Sequence, residues 1–577
     1  MKSYFREMPS FGAPLTERQK SDAAESVASI KEVESVLLEA REKVRKAGLP
    51  EEKLNKRGEL TVFQRLDYLV DPGTWCELNS LLNPMDNKEG TTSIVNGLGR
   101  ISGRWCVIIG FDNKVLAGAW VAGQAENVLR ATDMSKRLNI PLVWLVNCSG
   151  IKLPDQHLSY AGRRSGGATF FRHAELQQMG VPVLAAVYGT NPAGGGYHSI
   201  SPSLIVAHEN ANMAVGGAGI VSGMKPKGFF DLEGAEGLIE ATKKFKASPP
   251  GAVPVHRDVT GFFRFTSKTE HGVLDIIKDH VRGMPAYDPE FFRVDIPKPP
   301  KFDTAELNSI VPFNQKRTYN FRDVVARLVD GSEHHEYRPD YGPEIYCGLV
   351  KIDGFPVGVI GNNQGFLGAE YPKYAEYMGI GGKLYREGLI KMSEFVTFCG
   401  RDKLPIIWIQ DTTGIDVGDD AEKAELLGVG QSLIYSIEQT EIPHMLVVLR
   451  KGSAAAHYVM GGPQGNNHNS FTLGVPTTEV YVMHGETAAA ATFARRLVKE
   501  RNAGNPLEPV IEKMNAMVEE YYDNSRPLYC AKHGLVDEIV AFDDLRKYLA
   551  AFTGAAYQNP KALCAHHQML LPRVIRG

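Results

Sequence analysis

The stretch PLVWLVNCSGI, residues 141–151, has a second version in the same chain, PIIWIQDTTGI, residues 405–415. Each opens on proline, continues as an apolar run around a tryptophan and ends in Gly-Ile. Further along, one apolar run leads into AGGGY, residues 193–197, and another into AAAHY, residues 454–458. The spacing is 264 residues for the first pair and 261 for the second. Two elements that recur in the same order at almost the same spacing indicate a duplicated domain.

An amphipathic helix is predicted in front of the proline-led run of each copy, because apolar residues recur there at helical spacing. They are Val128, Ala131, Met134 and Leu138 in the first copy, and Leu389, Met392, Val396 and Cys399 in the second. A helix, a buried strand and a small-residue turn, repeated in order, are typical of a parallel α/β fold. We therefore predict the α/β class with two duplicated domains, residues 1–296 and 297–577, divided at the proline-rich PKPP segment.

The turns after the buried strands are suited to stabilising negative charge with main-chain amides. Gly and Ala let a ligand oxygen approach the backbone, and amides from two turns can converge on one oxyanion. The segments around the second turns, residues 176–208 and 452–478, contain no Asp, Glu, Lys or Arg. Two copies predict two such sites. A tight turn without a ligand is the alternative interpretation for either copy taken alone.

The composition excludes several classes of protein. The chain has 577 residues, of which 43% are hydrophobic and 23% charged, with a net charge of −3 and an isoelectric point near 6.6. Nucleic-acid binding normally leaves a basic surface, so no nucleic acid is expected as a partner. The first residues lack the apolar core of a signal peptide, and the long uncharged segment is too rich in Gly, Pro, Asn and Ser to span a bilayer. We expect a cytoplasmic protein.

The seven cysteines predict neither a disulfide framework nor a metal site. None lies in a CxxC pair or in a Cys/His cluster with zinc spacing, and no metal is expected in this chain. Cys148 lies inside the first turn, but Thr412 occupies the matching position of the second copy. Because a nucleophilic role would not be shared by the two copies, a packing role is favoured for Cys148.

Four other side chains near the turns are candidates for binding a ligand. His198 and His457 follow the small-residue turns closely, and Arg163 and Arg164 form a pair in a glycine-flanked loop after Gly150. Paired arginines can hold a carboxylate or a phosphate. We interpret the two arginines and His198 as substrate-binding candidates and His457 as a candidate at the second site. Buried histidines bonded to the backbone and solvated loop arginines are the alternatives.

These residues resemble the biotin-dependent carboxyltransferases that act on acyl-CoA, a family whose two halves are each crotonase-like, of the ClpP/crotonase superfamily. The likeness begins in residues 57–74 and continues with GNNQ, residues 361–364, and Arg450-Lys451. Within the family it is greatest to subunits of sodium-pumping decarboxylases. The motifs that carry this likeness are NPAGGGYHSISP, residues 191–202, DTTGID, residues 411–416, and KGSAAAHY, residues 451–458.

The resemblance implies two oxyanion sites with different functions. One would hold the thioester of an acyl-CoA and the other the ureido oxygen of biotin, and the two would face each other across a subunit interface. The motifs leave open which of two adjacent amides points inward at each turn. Carried over by motif, the amides of the first site are those of Gly150, Ile151, Gly194 and Gly195, and the amides of the second are those of Gly414, Ile415, Ala455 and Ala456, with Ala454 and His457 beside biotin.

The resemblance also implies partners. The chain has no Met-Lys-Met biotinylation motif, so biotin is expected on a separate carrier subunit. The other expected partners are a membrane-embedded decarboxylase that pumps sodium ions and at least one further copy of this chain, which would place the protein at the inner face of the cell membrane. Three alternatives remain: the carboxyltransferase of another acyl-CoA carboxylase, a crotonase-type hydratase or isomerase, which would need acidic residues over the thioester, and a non-catalytic acyl-CoA-binding protein.

Overall fold

The computed structural model describes residues 7–159, 162–198, 202–217, 232–247, 250–284, 289–367, 379–463 and 465–558. The chain forms two compact units. The first unit is Ala40–Tyr287, and the second unit comprises Met1–Glu39 together with Asp288–Gly577. Each unit contains one copy of the duplicated strand and turn pattern.

The N-terminal residues belong to the second unit because their backbone is bonded to it. The Phe11 N–H donates to the Ser332 carbonyl (2.9 Å), and the Phe11 ring stacks on His334 with ring centroids 3.6 Å apart. Arg327 donates to the Ala13 carbonyl (2.8 Å). The sequence-based division had placed these residues in the first domain. Its assignment of one functional site to each side of the division stays a prediction.

Helices α1 (Glu17–Asp22) and α2 (Ala24–Lys46) come first in the chain. The helices that follow in the first unit are α3 (Glu51–Asn55), α4 (Val62–Leu69), α5 (Gln124–Leu138), α6 (Gln156–Ser159), α7 (Gly166–Gln178), α8 (Gly194–Tyr197), α9 (Leu232–Ala247) and α10 (Glu270–Gly283). The strands of this unit are β1 (Cys76–Leu78), β2 (Ile94–Ile101), β3 (Arg104–Phe111), β4 (Leu142–Val146), β5 (Val183–Val187), β6 (Thr190–Pro192), β7 (Leu204–His208), β8 (Asn212–Ala214) and β9 (Phe265–Ser267).

A seven-stranded sheet forms the centre of the first unit, in the order β1-β2-β3-β4-β5-β7-β9. The pairs β1–β2 and β2–β3 are antiparallel, and every later pair is parallel. Strands β6 and β8 form a separate parallel pair. Because β3, β4, β5 and β7 run in the same direction, the turns that follow them emerge at one edge of the sheet.

The second unit has the same kinds of element. Its helices in the described ranges are α11 (Leu307–Ile310), α12 (Phe321–Ala326), α13 (Arg386–Asp402), α14 (Asp419–Lys423), α15 (Leu426–Thr440), α16 (Ala454–Val459), α17 (Gly485–Asn502), α18 (Glu508–Asp523), α19 (Pro527–His533) and α20 (Phe542–Gln558). Its strands are β10 (His335–Glu336), β11 (Ile345–Ile352), β12 (Phe355–Asn362), β13 (Lys383–Leu384), β14 (Ile406–Thr412), β15 (Gly414–Ile415), β16 (His444–Ser453), β17 (Asn469–Gly474), β18 (Glu479–Tyr481) and β19 (Glu538–Ile539).

The sheet of the second unit repeats that of the first in strand order and in register. Its order is β10-β11-β12-β14-β16-β17-β19, with β18 beside β16, and the pairs from β12 onwards are parallel. Trp144 of β4 pairs with Ala185 of β5, and Trp408 of β14 pairs with Leu446 of β16, at the spacing found in the sequence. The predicted duplication is confirmed.

Burial on both faces of the sheet explains why the central strands read as apolar runs. Strands β4, β5, β14 and β16 are buried along their whole length, as expected for parallel strands covered by helices on both sides. Helices α5 and α13 both end in a left-handed residue, Asn139 (φ 53°) and Lys403 (φ 57°), which stops the helix shortly before the proline that opens the strand. The predicted helices before the strands are confirmed.

In the part of the chain that the structure describes, no helix is both long enough and apolar enough to cross a bilayer. Helix α2 has 23 residues, but lysines, arginines and glutamates occur along its length. The described parts of the uncharged segment, residues 176–198 and 202–208, contain the end of α7 and the short elements β5, β6, α8 and β7.

Candidate functional site

Two turns lie together at the C-terminal edge of each sheet, where parallel α/β proteins bind their ligands. In the first unit they follow β4 and β5, and in the second unit they follow β14 and β16. The first pair contains Gly150–Ile151 and Gly194–Gly195. The second pair contains Gly414–Ile415 and Ala455–Ala456. The structure therefore places the four predicted amides of each unit in two neighbouring turns.

The two turns of the first unit are in direct contact. A Cβ atom added to Gly195 would lie 2.3 Å from the Cys148 carbonyl oxygen, and one added to Gly150 would lie 3.5 Å from Pro192 Cγ. The Cys148 N–H donates to the side-chain oxygen of Asn191 across the same junction (2.7 Å). In the second unit, helix α16 packs against β14 and β15.

Backbone pairing orients one amide at the first turn of the first unit. Trp120 pairs with Ile151 as in a parallel ladder: the Trp120 N–H donates to the Gly150 carbonyl (2.8 Å), and the Trp120 carbonyl accepts from the Lys152 N–H (3.0 Å). Alternate residues of an extended strand direct their backbone groups to opposite sides. The Ile151 N–H therefore points away from Trp120, and Gly150 permits this course of the chain with a φ of 99°.

The second unit repeats this arrangement. Leu384 pairs with Ile415, and the Asp416 N–H donates to the Leu384 carbonyl (3.0 Å). The Gly414 N–H donates to the Thr412 hydroxyl (3.3 Å), and Gly414 has a φ of 128°. The Ile415 N–H, rather than that of Gly414, is therefore directed away from β13.

A strained residue starts the short helix at each second turn. Ala193 has a φ of 49° and Ala454 a φ of 48°, a conformation that costs a residue with a side chain about 1–3 kcal/mol. The Ala193 N–H donates to the Ala214 carbonyl (2.7 Å), which fixes the turn. The first amides of a helix have no acceptor inside the helix. At these two helices they include Gly194 and Gly195 in the first unit, and Ala455 and Ala456 in the second.

His457 is held as a neutral imidazole beside the second turn. Its Nδ1 lies 2.8 Å from Gln410 Oε1, so Nδ1 carries the proton and donates. Burial lowers the pKa of His457 to about 4. The Gln410 amide in turn donates to the carbonyls of Ala456 (3.4 Å) and His457 (3.2 Å), so this side chain fixes both the helix start and the imidazole.

The structure places His198 in the core rather than on the surface of the first site. Its side chain is fully buried, and its ring contacts five other rings, those of Phe111, Trp120, Trp144, Phe170 and His173. Burial lowers the pKa of His198 to about 3. A ring enclosed in this way supports the wall of the first site and offers no free surface to a substrate.

The two predicted substrate-binding arginines have different environments. Arg163 is exposed. Arg164 forms a two-bonded ion pair with Glu126 of α5, with Nε 2.7 Å and Nη2 3.2 Å from the carboxylate oxygens, and Asp133 lies 3.9 Å away. The charge of the Arg164 guanidinium is thus paired with carboxylates of the protein itself. Arg163 is therefore the better candidate to contact an anionic ligand.

Three polar residues at the turns were missed by the sequence analysis. Asn191 is fully buried and bonds the first turn to the second in the first unit, and Asp411 forms a buried ion pair with Arg450 (2.8 Å) in the second. A signal for the pair was present, because Asp411 and Arg450 are charged residues that directly follow apolar runs within buried strands. Buried charges are rarely tolerated without a partner.

In the described ranges, no group of three or more His, Cys, Asp or Glu side chains is placed to hold a metal ion. The predicted absence of a metal stays a prediction. The six cysteines in the described ranges are all buried. Burial raises the pKa of the Cys148 thiol to about 12, which opposes formation of a thiolate.

Comparison with known proteins decides the family. A family model described as the carboxyl transferase domain matches residues 53–570. The chain belongs to the carboxyl transferase family.

The chain is 56% identical to the alpha subunit of glutaconyl-CoA decarboxylase from Acidaminococcus fermentans, over 100% of this chain and 98% of that protein. It is 27% identical to the biotin-dependent 3-methylcrotonyl-coenzyme A carboxylase beta1 subunit of Mycobacterium tuberculosis, over 88% and 89% of the two chains. The predicted enzyme class, a carboxyltransferase, is confirmed.

A solved structure shows the same fold. The beta subunit of P. aeruginosa geranyl-CoA carboxylase matches with a TM-score of 0.75 at 22% identity, over 97% of this chain and 100% of that chain. The predicted fold class, α/β with two duplicated crotonase-like domains, is confirmed. The names of all three proteins describe subunits of larger enzymes.

We expect Gly195→Ala to reduce carboxyltransferase turnover by about 10²- to 10³-fold, the effect of losing one oxyanion donor. The added Cβ would meet the Cys148 carbonyl at 2.3 Å and force the two turns apart. Gly167→Ala is the matched control, since a Cβ there meets no heavy atom within 4 Å. Equal turnover of the two variants, measured on folded protein, would contradict this interpretation of the contact.

We expect Cys148→Ser to retain turnover within about tenfold of the unsubstituted chain, because removing a true catalytic group costs about 10²-fold or more. Cys148 is fully buried, its thiol pKa is raised to about 12, and Thr412 stands at the matching position. Initial rates at saturating substrates test this. A loss beyond about 100-fold with an unchanged melting temperature would show that the thiol is catalytic.

We expect acid to destabilise the first unit through His173 and His198. Burial lowers their pKa values to about 4 and about 3, below the 6.5 of an exposed histidine. Below pH 6.5 the unfolded chain binds protons that the folded chain does not, so stability falls by up to about 1.4 kcal/mol per pH unit for each histidine until the folded pKa is reached. The urea midpoint of His198→Phe should depend less steeply on pH between 6.5 and 4.5. His280→Gln, at an exposed site, should keep the original slope.

Proposed function

We propose that this chain transfers the distal carboxylate of glutaconyl-CoA to biotin attached to a separate carrier subunit, giving crotonyl-CoA and carboxybiotin. One observation carries the proposal. The same amide-bearing pair of turns is built twice in a chain that is 56% identical, over its full length, to a glutaconyl-CoA decarboxylase alpha subunit. Carboxyl transfer from an acyl-CoA to biotin develops negative charge on two oxygens, and each needs its own donors.

The first site is assigned to the acyl-CoA thioester. When the carbon–carbon bond to the distal carboxylate of glutaconyl-CoA breaks, the electron pair of that bond stays with the acyl group. It is delocalised onto the thioester oxygen as a dienolate. We assign the N–H groups of Ile151 and Gly195 as the donors to that oxygen, because backbone pairing turns the Ile151 amide outward and Gly195 lies in the first turn of α8. Exposed Arg163 is the candidate contact for an anionic part of the substrate.

The second site is assigned to biotin, which supplies a ureido nitrogen that accepts the carboxylate carbon while its oxygen gains negative charge. The donors we assign are the N–H groups of Ile415 and Ala456. Their surroundings fit a neutral ureido ring, because residues 452–478 carry no charged side chain and His457 is a neutral imidazole. The charges balance: the product carbon gains one proton and the ureido nitrogen loses one.

The remaining partners follow from the family resemblance. We propose that the chain works as at least a homodimer, in which the acyl-CoA site of one subunit serves the biotin site of another. We further propose a biotin carrier subunit and a membrane-embedded decarboxylase that pumps sodium ions, with this chain attached to the inner face of the membrane through them. The names of the relatives, which describe alpha, beta1 and beta subunits, support a multi-subunit enzyme.

A specific observation separates this proposal from a crotonase-type hydratase or isomerase. Those reactions need an acidic side chain over the thioester, whereas residues 176–208 of the first site carry no charged side chain. The other alternative, the carboxyltransferase of another acyl-CoA carboxylase, differs from the proposed enzyme in the acyl-CoA that it uses. Incubation of the chain with free biotin and a series of acyl-CoAs should give the fastest carboxyl loss with glutaconyl-CoA, and preference for a different acyl-CoA would replace the proposed substrate.

We expect Ala456→Val to abolish biotin-dependent turnover or to raise the biotin KM at least tenfold, because Ala456 is fully buried in the proposed biotin site and larger side chains overpack such positions. Binding of crotonyl-CoA, measured by calorimetry, should be unchanged. Ala490→Val on the exposed face of α17 is the control. An unchanged biotin KM and kcat in Ala456→Val would place the biotin site elsewhere.

We expect two inactive variants to restore activity when their subunits are exchanged. Gly195→Val disables the acyl site and Ala456→Val the biotin site, so a mixed dimer would contain one intact site of each kind. With free exchange at equal amounts, half of the dimers are mixed, and each mixed dimer has one intact pair of sites out of two. About a quarter of all acyl–biotin site pairs should therefore be intact. Subunit exchange is confirmed with two differently tagged chains. If exchange occurs and no activity returns, the two sites of a working pair belong to the same chain.

A further inference from the structure

The position that precedes the first turn differs in charge between the two units. Asn147 in the first unit matches Asp411 in the second, and Gly189 matches Arg450. The pairs occupy equivalent places in space as well as in sequence. A Cβ added to Gly189 would lie 2.5 Å from Asn147 Oδ1, and Arg450 Nε lies 2.8 Å from Asp411 Oδ2.

Asp411 bonds the end of β14 to the end of β16. Its Oδ2 accepts from Arg450 Nε (2.8 Å) and from the Tyr319 hydroxyl (3.0 Å), and its Oδ1 accepts from the Lys451 backbone N–H (3.3 Å). Arg450 and Lys451 lie among the last four residues of β16, which leads directly into α16. The carboxylate therefore joins the two strands whose turns carry the Ile415 and Ala456 amides.

The main chain of Asp411 is fixed on the opposite side. Its N–H donates to the side-chain oxygen of Asn362 (3.0 Å), and its carbonyl accepts from the Gln364 amide (3.0 Å). Asp411 is fully buried. Burial alone would raise the pKa of this carboxyl, but the charges of Arg450 and Lys451 outweigh burial and hold the pKa below its usual value, so the group is ionised at neutral pH.

In the first unit, a neutral residue makes the corresponding connection. It follows β5, the strand equivalent to β16, whereas Asp411 belongs to β14, the strand equivalent to β4. Asn191, in the short strand β6 that follows β5, accepts from the Cys148 N–H (2.7 Å) and donates to the carbonyls of Tyr188 (2.8 Å) and Asn212 (3.2 Å). The residue that matches Asn191 in the second unit is Gly452, which has no side chain to do this.

We propose that Asp411 is the positioning residue of the second site: its buried carboxylate ties the ends of β14 and β16 together and sets the separation of the Ile415 and Ala456 amides, as the neutral Asn191 does for the first site. The statement that these amides serve biotin rests on the proposed function. The connection between the strands does not, so the two can be tested separately.

The test compares Asp411→Asn with Asp330→Asn in the full chain. Asp330 is a matched control, because it too is a buried carboxylate of the second unit that accepts from backbone amides, those of Asp353 (3.0 Å) and Gly354 (2.7 Å), and from Arg546 (2.6 Å). Its carboxylate binds the hairpin between β11 and β12, away from the turns that follow β14 and β16.

The first measurement is amide hydrogen exchange followed by mass spectrometry, which needs no activity. Asp411→Asn should speed exchange at least about tenfold in peptides that cover residues 411–416 and 449–453, because local opening there loses an ionic connection worth more than about 1.4 kcal/mol. Asp330→Asn should leave both peptides unchanged. Unchanged exchange of these peptides in Asp411→Asn overturns the proposal.

The second measurement is steady-state turnover with free biotin and glutaconyl-CoA. Asp411→Asn should lower kcat/KM for biotin by about 10- to 100-fold, less than the 10²- to 10³-fold effect of deleting a donor, with the dissociation constant of crotonyl-CoA within twofold of the original. Asn191→Ala should show the opposite pattern, with weakened crotonyl-CoA binding and an unchanged biotin KM. Equal losses on both substrates, or the same loss in Asp330→Asn, would show a general structural role instead.

A milder variant keeps the test decisive if Asp411→Asn does not fold. Tyr319→Phe removes one hydrogen bond to the same carboxylate oxygen and leaves the ion pair intact. It should accelerate exchange in the same two peptides and lower kcat/KM for biotin about two- to fivefold, with crotonyl-CoA binding unchanged. If the unsubstituted chain shows no biotin-dependent turnover, the proposed function fails, and the exchange data alone decide whether Asp411 fixes the turns.

Discussion

In the proposed mechanism, catalysis depends on the separation between two backbone amides that come from turns after different strands. A backbone amide, unlike a side chain, has no rotamers by which it could adjust. Its position is therefore set by the strand register, by the φ of the turn and by the residues that pack against it. Gly195 shows how tight this is, since a single added carbon would lie 2.3 Å from the Cys148 carbonyl. Ala193 and Ala454 hold strained conformations at the start of the two short helices that carry the proposed donors. Preorganised donors of this kind cost nothing to reorient during the reaction.

Duplication supplied the same geometry twice, and the two copies then diverged around it. The paired strands, the left-handed glycines Gly150 and Gly414 and the strained alanines are shared. The side chains that join the strands are not: the first unit uses the neutral Asn191 and the second the ionised Asp411 with Arg450. Under the proposed function, one backbone arrangement would stabilise charge on an oxygen at each site, and the two sites would differ in the side chains that join their strands.

Much of the fold could be predicted because its signals are local or repeated. Helical spacing identified α5 and α13, and the matched tryptophans Trp144 and Trp408 marked strands with the same register. The prediction was less complete where contacts are distant. His198 follows the turn in sequence, yet its ring is enclosed by aromatic neighbours, and Arg164 is bonded to Glu126 on another helix. Neither burial in a cluster nor a remote ion pair leaves a periodic pattern in the sequence.

The sequence by itself determined the duplication, the α/β class, the carboxyltransferase family and the position of the small-residue turns proposed as the two sites, because spacing, apolar periodicity and small residues are written along the chain. Only the tertiary structure decided that the Ile151 and Ile415 amides are directed away from the backbone segments with which these residues pair. The pairing of Trp120 with Ile151 and of Leu384 with Ile415 joins residues far apart in sequence, and that pairing orients the peptide planes. The tertiary structure also decided that residues 7–39 group with the second unit, because backbone hydrogen bonds to a distant segment hold them there.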